Sequence, residues 1–284
     1  MMATLTPTMS KPLARKRARG LAVTMRALAN SATPLSVGCF YGVLIVLLLA
    51  VLYPAMSQAS ITSILQTSVM SSILGGHVSN FSGFTAFLAM EVFSSIYGLL
   101  FGGFIAWAGG SVLPITIEDG TLDLALSRPI SRARYYLEHW LAVVLGSLLL
   151  GLLVIGTVWV DTFIVKDANI DWQWMWVTEL VQWCILCFAG GLGMLCGACF
   201  NASRAAGGTA LGIIVLGYLL NTFGNLSDQF SWMLKISPFY YAPAIDPLLN
   251  HQLTWWHPLV LVLLGLICGL AGLVIFQKRD LPTV

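Results

Sequence analysis

The sequence predicts an all-α, polytopic membrane protein, and three observations carry that prediction. Of 284 residues, 58% are hydrophobic and only 9% charged, whereas a soluble domain carries about 25% charged residues. The apolar residues gather in continuous runs of the length, about 20 residues, that a helix needs to cross ~30 Å of hydrocarbon. Lys and Arg are also divided unevenly between alternate connections, which is the pattern that sets orientation in a membrane. Fourteen Lys/Arg and twelve Asp/Glu are too few to coat a soluble fold of this size. A soluble enzyme, a disulfide scaffold and a disordered chain are therefore disfavoured.

The apolar runs fall at 38–56, 86–113, 141–164, 177–200, 205–224 and 259–276, giving six expected spans. Barrel strands do not fit, because the runs are continuous rather than alternating. With the N-terminus inside, the inner segments hold Lys11, Arg15, Lys16, Arg17, Arg19, Arg26, Arg128, Arg132, Arg134, Arg204, Lys278 and Arg279. The outer segments hold only Lys166 and Lys235. Both termini are thus expected in the cytoplasm, in a bacterial-type inner membrane. Ser57-Gln58-Ala59 offers small residues at a cleavage spacing. The first apolar run is nevertheless too long and too far from the start for a signal peptide, and reads as a span.

The chain divides into a cytoplasmic segment, 1–34, and a membrane domain, 35–284. Residues 1–13 read as a polar tail. Over 15–30 a helix would place Leu21, Met25 and Leu28 on one face and Arg15, Arg19 and Arg26 opposite. Such a basic amphipathic helix suits the inner lipid interface, and Pro34 breaks it from the first span. The outer segment 57–85 has no charged residue, and its Ile61–Leu74 part reads as resting on the outer interface. Segment 225–258, with Pro238, Pro243 and Pro258 among clustered aromatics, reads as short broken pieces at headgroup depth. Small residues recur every four positions at Gly98, Gly102, Ala106 and Gly110, and again at Gly193/Gly197, Gly208/Gly212 and Gly265/Gly269. This spacing lets helices approach closely in lipid, either inside one bundle or at a sliding or pairing surface.

Several chemistries are missing from the sequence. No G-x-x-x-x-G-K-[ST] phosphate loop, H-E-x-x-H zinc motif or G-x-S-x-G nucleophile turn occurs. Cys184, Cys187, Cys196 and Cys199 mimic two metal knuckles, but they share one apolar run that must be helical. The twelve residues from Cys184 to Cys196 then span about 18 Å of helix, too far for one tetrahedral zinc. The acids expected inside spans are Glu91, Asp161 and Glu179, all toward the outer side. An ionisable residue in a span points to a pathway or gate; the alternative is an interfacial carboxylate in water or paired with Lys166.

The connection between the second and third runs is the most distinctive segment. Acids come first, at Glu118, Asp119 and Asp123, and bases last, at Arg128, Arg132 and Arg134, around Leu122, Leu124 and Leu126. Pro129 stops a helix from running through, and Ser131 can cap the next one. A short mixed-surface element between two spans suits docking on a soluble partner, and a plain solvated connector is the alternative.

Glu118…Gly120-Thr121-Leu122…Leu126-Ser127-Arg128-Pro129-Ile130-Ser131-Arg132 resembles the E-x-G-T-L…L-S-x-P-[IV]-[ST]-R stretch of type-2 ATP-binding-cassette (ABC) transporter permeases. The ending Phe276-Gln277-Lys278-Arg279-Asp280-Leu281 is similar to the F-x-x-R-D-[LIV] tail of that family, and the six-span layout agrees with it. The segment 57–85 departs from the family pattern by its length and lack of charge. The resemblance implies a permease subunit of an exporter, paired with a second permease copy or paralogue and embedded in membrane lipid. It also implies two copies of a separate ABC ATPase subunit, which would hold the ATP and Mg. The connection would be a coupling helix, with Glu118, Asp119, Gly120, Leu122, Leu126, Arg128, Pro129 and Arg132 as its contact region. Residues 15–30 would be an elbow helix, and 225–258 outer re-entrant helices. No cofactor in this chain and no nucleic-acid partner are implied. Two other readings remain open: a membrane-embedded enzyme using Glu91, Asp161 and Glu179, and a non-transporting anchor of a regulatory complex.

Overall fold

The computed structural model describes residues 32–59, 83–120, 131–165 and 168–279. The expected interfacial helix at 15–30, most of the outer segment 57–85, the contact residues Leu122, Leu126, Arg128 and Pro129, and Lys166 lie outside the described residues. Among the described residues every regular element is helical. The long helices are α1 (Ala32–Ala59), α2 (Phe84–Glu118), α3 (Arg132–Ile164), α4 (Trp172–Cys199) and α5 (Ser203–Leu226). A short α6 (Ser231–Ile236) precedes the last long helix, α7 (Trp256–Lys278). Each of the six expected runs coincides with one of the long helices, and 177–200 runs one residue past the end of α4. Five of these, α2 to α5 and α7, are long and apolar enough to cross a membrane, and the apolar stretch of α1, Gly38–Pro54, is shorter.

Helix ends follow local chemistry. The Ser131 hydroxyl accepts the Arg134 N–H at 3.3 Å, capping α3. The Asp171 carboxylate accepts the N–H groups of Gln173 and Trp174, capping α4. Both satisfy donors that a helix start leaves without partners. Gly120 ends α2 at φ +63°, a left-handed conformation that costs glycine little. Within α2 the backbone widens to π geometry over Leu88–Phe101. There the hydroxyls of Ser94 and Ser95 donate to carbonyls five residues back, Ala89 and Met90. Such widening is rare and recurs at functional sites.

The bundle is organised around α4, which packs on α2, α3, α5 and α7 and is the most enclosed of the membrane-length helices. In lipid the helices gain nothing from excluding water, so close van der Waals packing must hold them. The glycine spacing serves that purpose inside the bundle. A Cβ on Gly193 of α4 would stand 2.5 Å from the Ala106 carbonyl of α2, so the two backbones touch. On the next face of α4, Gly191 meets the Gly265 carbonyl of α7 just as directly. Gly212, by contrast, faces open space. The outward faces carry large apolar side chains such as Phe163, Leu216, Ile267 and Leu270, all more than half exposed. So continuous an apolar exterior suits lipid rather than water.

Segment 225–258 is broken into short pieces: a 3-10 turn at Asp228–Phe230, α6, a 3-10 turn at Pro238–Tyr241 and a π turn at Asp246–Asn250. These pieces are pinned into the bundle as well as resting on it. Phe239 wedges between Gly98 of α2 and Gly217 of α5. The buried Ser237 hydroxyl donates to the Gly217 carbonyl at 2.8 Å, and Gln182 of α4 donates to the Ala242 carbonyl at 3.0 Å.

Candidate functional site

Two clusters of polar side chains stand out against this apolar bundle. The first lies at the end where α2, α4 and α7 finish and α3 and α5 begin. Five cations, Arg132, Arg134, Arg204, Lys278 and Arg279, sit there, against Lys235 alone at the opposite end among the described residues.

Glu118 closes the gap between α2 and α5. Its carboxylate accepts the Ser203 N–H at 2.8 Å and the Ser203 hydroxyl at 2.7 Å. Helix α5 has no side-chain cap of its own, since Ala202 stands at the capping position. Glu118 supplies that cap from α2, with a negative charge at the positive end of the α5 dipole.

Arg279 performs the converse task. Its guanidinium donates to the carbonyls of Ala198 at 2.7 Å and Phe200 at 3.1 Å, and to the Asn201 side chain. A cation thus covers the unsatisfied carbonyls at the end of α4. The Arg279 carbonyl in turn accepts Arg132 Nη1 at 2.9 Å, tying α3 to the tail of α7. Just inside, Phe276 is buried against Tyr135 and Tyr136 of α3. The result is a collar that joins α2 to α5 and α3 to α4 and α7. Both edges of connection 121–130 are part of it.

Of the expected contact residues within the described part, Glu118 and Arg132 are therefore committed to the bundle. Asp119 and Gly120 stand exposed, and the Asp119 side chain has no bonding partner among the described residues.

The second cluster is buried. Glu179 of α4 is 5% exposed and accepts a hydrogen bond from the Tyr97 hydroxyl of α2, while its second oxygen, Oε2, has no hydrogen-bond partner among the described residues. Gly151 of α3 lies directly against that carboxyl and the phenol; any side chain there would collide with both. Asp161 is buried on α3, and neither of its oxygens has a hydrogen-bond partner among the described residues. Burying an unpaired acid is costly, so these two are unlike interfacial carboxylates resting in water. Glu91 is the exception of the three: half-buried on the π stretch of α2, it is not brought to the Tyr97–Glu179 pair by any bond.

A family described as the C-terminal domain of the multidrug efflux system permease Rv1217c matches residues 46–277, most of the chain. The chain belongs to that family. It is accordingly a multi-pass transmembrane permease. Among curated proteins none matches it. The matched range of this permease takes in the Glu118–Ser203 contact, Tyr97, Gly151, Asp161 and Glu179.

Sequence reasoning singled out Glu179 and Asp161 but missed Tyr97, Gly151 and Ser203. A phenol inside an apolar run is the one signal that pointed to Tyr97. Gly151 falls outside the every-fourth-residue pattern, and nothing in the sequence distinguishes Ser203 from other serines. Arg279 was visible only as one of the inner cations and as part of the tail motif.

Proposed function

We propose that this permease is the membrane subunit of an ATP-driven exporter of the type-2 ABC class, with ATP hydrolysis in a separate ATPase subunit. The collar carries this reading. Connection 121–130 leaves the bundle at Gly120 and returns at Ser131, and both points are tied to other helices by Glu118 and Arg132. A push on that connection would act on α2 and α3 directly. It would reach α5 through Ser203, and α4 and α7 through Arg279. A solvated connector needs no such anchoring at both ends.

The rest of the reading is consistent with that role. The basic end faces the cytoplasm, as the excess of Lys and Arg requires. Helix α1, with 28 residues, is about 42 Å long at 1.5 Å per residue and forms a sixth crossing. The family is described as one domain of a multidrug efflux permease, which fits a unit that pairs with a second permease half and exports several apolar compounds. The chain is not itself an enzyme; ATP and Mg belong to the ATPase partner.

The test is a charge reversal that leaves the collar intact. Asp119→Arg changes an exposed side chain with no partner among the described residues, so melting in detergent should stay within about 1 kcal/mol of wild type. Recovery of the ATPase with the tagged permease should fall at least tenfold. Undiminished recovery would remove this edge of the connection from the docking surface. Arg132→Glu should differ by lowering both stability and recovery, since it also breaks the bond to the α7 tail.

A further inference from the structure

We propose that Glu179 is a proton-binding site, sealed between α2, α3 and α4 and filled by a proton on Oε2. Such a site would serve with or without an ATPase partner. Three observations carry it. First, Glu179 is more than nine-tenths buried, yet its Oε2 has no hydrogen-bond partner among the described residues. Second, the carboxyl is oriented, because the buried Tyr97 hydroxyl donates to its other oxygen. Third, the surroundings leave no room. Gly151 of α3 lies so close that a single added carbon would strike the carboxyl, and Leu150, Met175 and Leu186 share one buried apolar cluster with Tyr97. An ionised carboxylate in such a place needs a partner. A larger cation would need space, and a proton needs none. The neutral acid leaves one hydroxyl donor unpaired, which costs far less than a bare charge.

The chain's own cations stand too far off to take the proton's place. Lys166 follows Val165, which lies fourteen residues beyond Gly151, about 21 Å of helix rise and beyond the reach of a lysine side chain. Arg128 and the cations before α1 join the bundle at its basic end. That end is twenty residues of α4 from Glu179, about 30 Å. Few titratable groups face the site. Helix α2 presents Tyr97, α3 has none nearer than Asp161, ten residues beyond Gly151, and α4 itself carries Cys184 and Cys187. Of the other elements packed on α4, α5 carries Tyr218, α7 carries His257 and Cys268, and the π turn carries Asp246; none of them bonds to Glu179. Asp161 is not part of the site, since Lys166 lies only five residues from it. A step that parts α2 from α4 at Tyr97 would admit water, and Glu179 would give up its proton; closing would take it back. The proton is thus a ligand of the closed bundle.

The test is made on the full-length permease with whatever subunits co-purify. Exposed carboxyls are ionised at neutral pH. Infrared spectra at that pH should nevertheless show a neutral-acid C=O band, absent in Glu179→Gln and retained in Asp161→Asn. Tyr97→Phe should keep the band but shift it, because the hydrogen bond to that carbonyl is gone; this variant serves if Glu179→Gln fails to fold. A second measurement uses stability. The unfolded chain releases the proton that the folded chain retains, so stability must fall as pH rises. Between about pH 5 and pH 8 the unfolding constant of wild type should grow relative to that of Glu179→Gln, by up to about tenfold per pH unit. No neutral-acid band at neutral pH, or a band that neither variant alters, overturns the site. A ratio of unfolding constants that is flat in pH overturns it as well.

Discussion

Gly193→Val should leave little monodisperse permease in detergent. The glycine faces the Ala106 carbonyl and the Gly110 amide across the α2–α4 contact, with backbone on both sides. No rotamer change can make room, so the helices must separate. Overpacking at such a site costs about 3 kcal/mol. In a chain of this size that is on the order of 10 °C in melting temperature. The loss also has no hydrophobic compensation, because lipid is as apolar as the interface it would replace. Gly212→Val is the matched control: a side chain there meets nothing, so the monomer should melt within about 1 kcal/mol of wild type. Fluorescence-detected size exclusion after stepwise heating measures both. Equal melting of the two variants would mean that the α2–α4 backbone contact is not what holds the bundle.

Arg279→Ala should have the second-largest effect, for electrostatic rather than steric reasons. One guanidinium serves two carbonyls and the Asn201 side chain at the end of α4. Its own carbonyl holds Arg132. Hydrogen bonds from a charged donor contribute about 1.5–3 kcal/mol, and a cation at a helix C-terminus adds up to ~1 kcal/mol. Removal should therefore destabilise the protein by about 2–3 kcal/mol. It should also uncouple any partner bound at the 121–130 connection. Arg279→Lys keeps the charge but loses the planar fork that reaches several acceptors, so it should recover only part of the stability. Full recovery by lysine would reduce the collar to a simple charge effect.

The helical elements were legible because their cause is local. A run of apolar residues in a membrane must be helical, and each of the six runs read from the sequence coincides with a long helix, 177–200 passing the end of α4 by one residue. The Ser131 cap was legible for the same reason, since it depends on residues three positions apart. The broken character of 225–258 followed from its prolines and aromatics. Its depth did not, because the pocket for Phe239 is made by Gly98 and Gly217 on two distant helices.

The candidate sites divide along the same line. Glu179 and Asp161 announced themselves as acids in apolar runs. Their burial could not be read, since helix ends look alike whether they face water or a neighbouring helix. Glu118 was read as a docking residue from its motif, and it turns out to cap α5 from 85 positions away. Long-range caps of this kind leave no local pattern. The glycine spacing was read as close packing, either inside one bundle or at a sliding or pairing surface; the fold bears this out at Gly193, which touches α2, and not at Gly212, which touches nothing among the described residues.

The measurement that bears most directly on the central claim is purification of the tagged chain from its native membrane in mild detergent, followed by assay of what accompanies it. A soluble protein in stoichiometric amount, hydrolysing ATP in a vanadate-sensitive manner and lost when Asp119 is changed to Arg, is the expected result. A permease that purifies alone with its collar intact, or with a partner that turns over no ATP, would contradict the account.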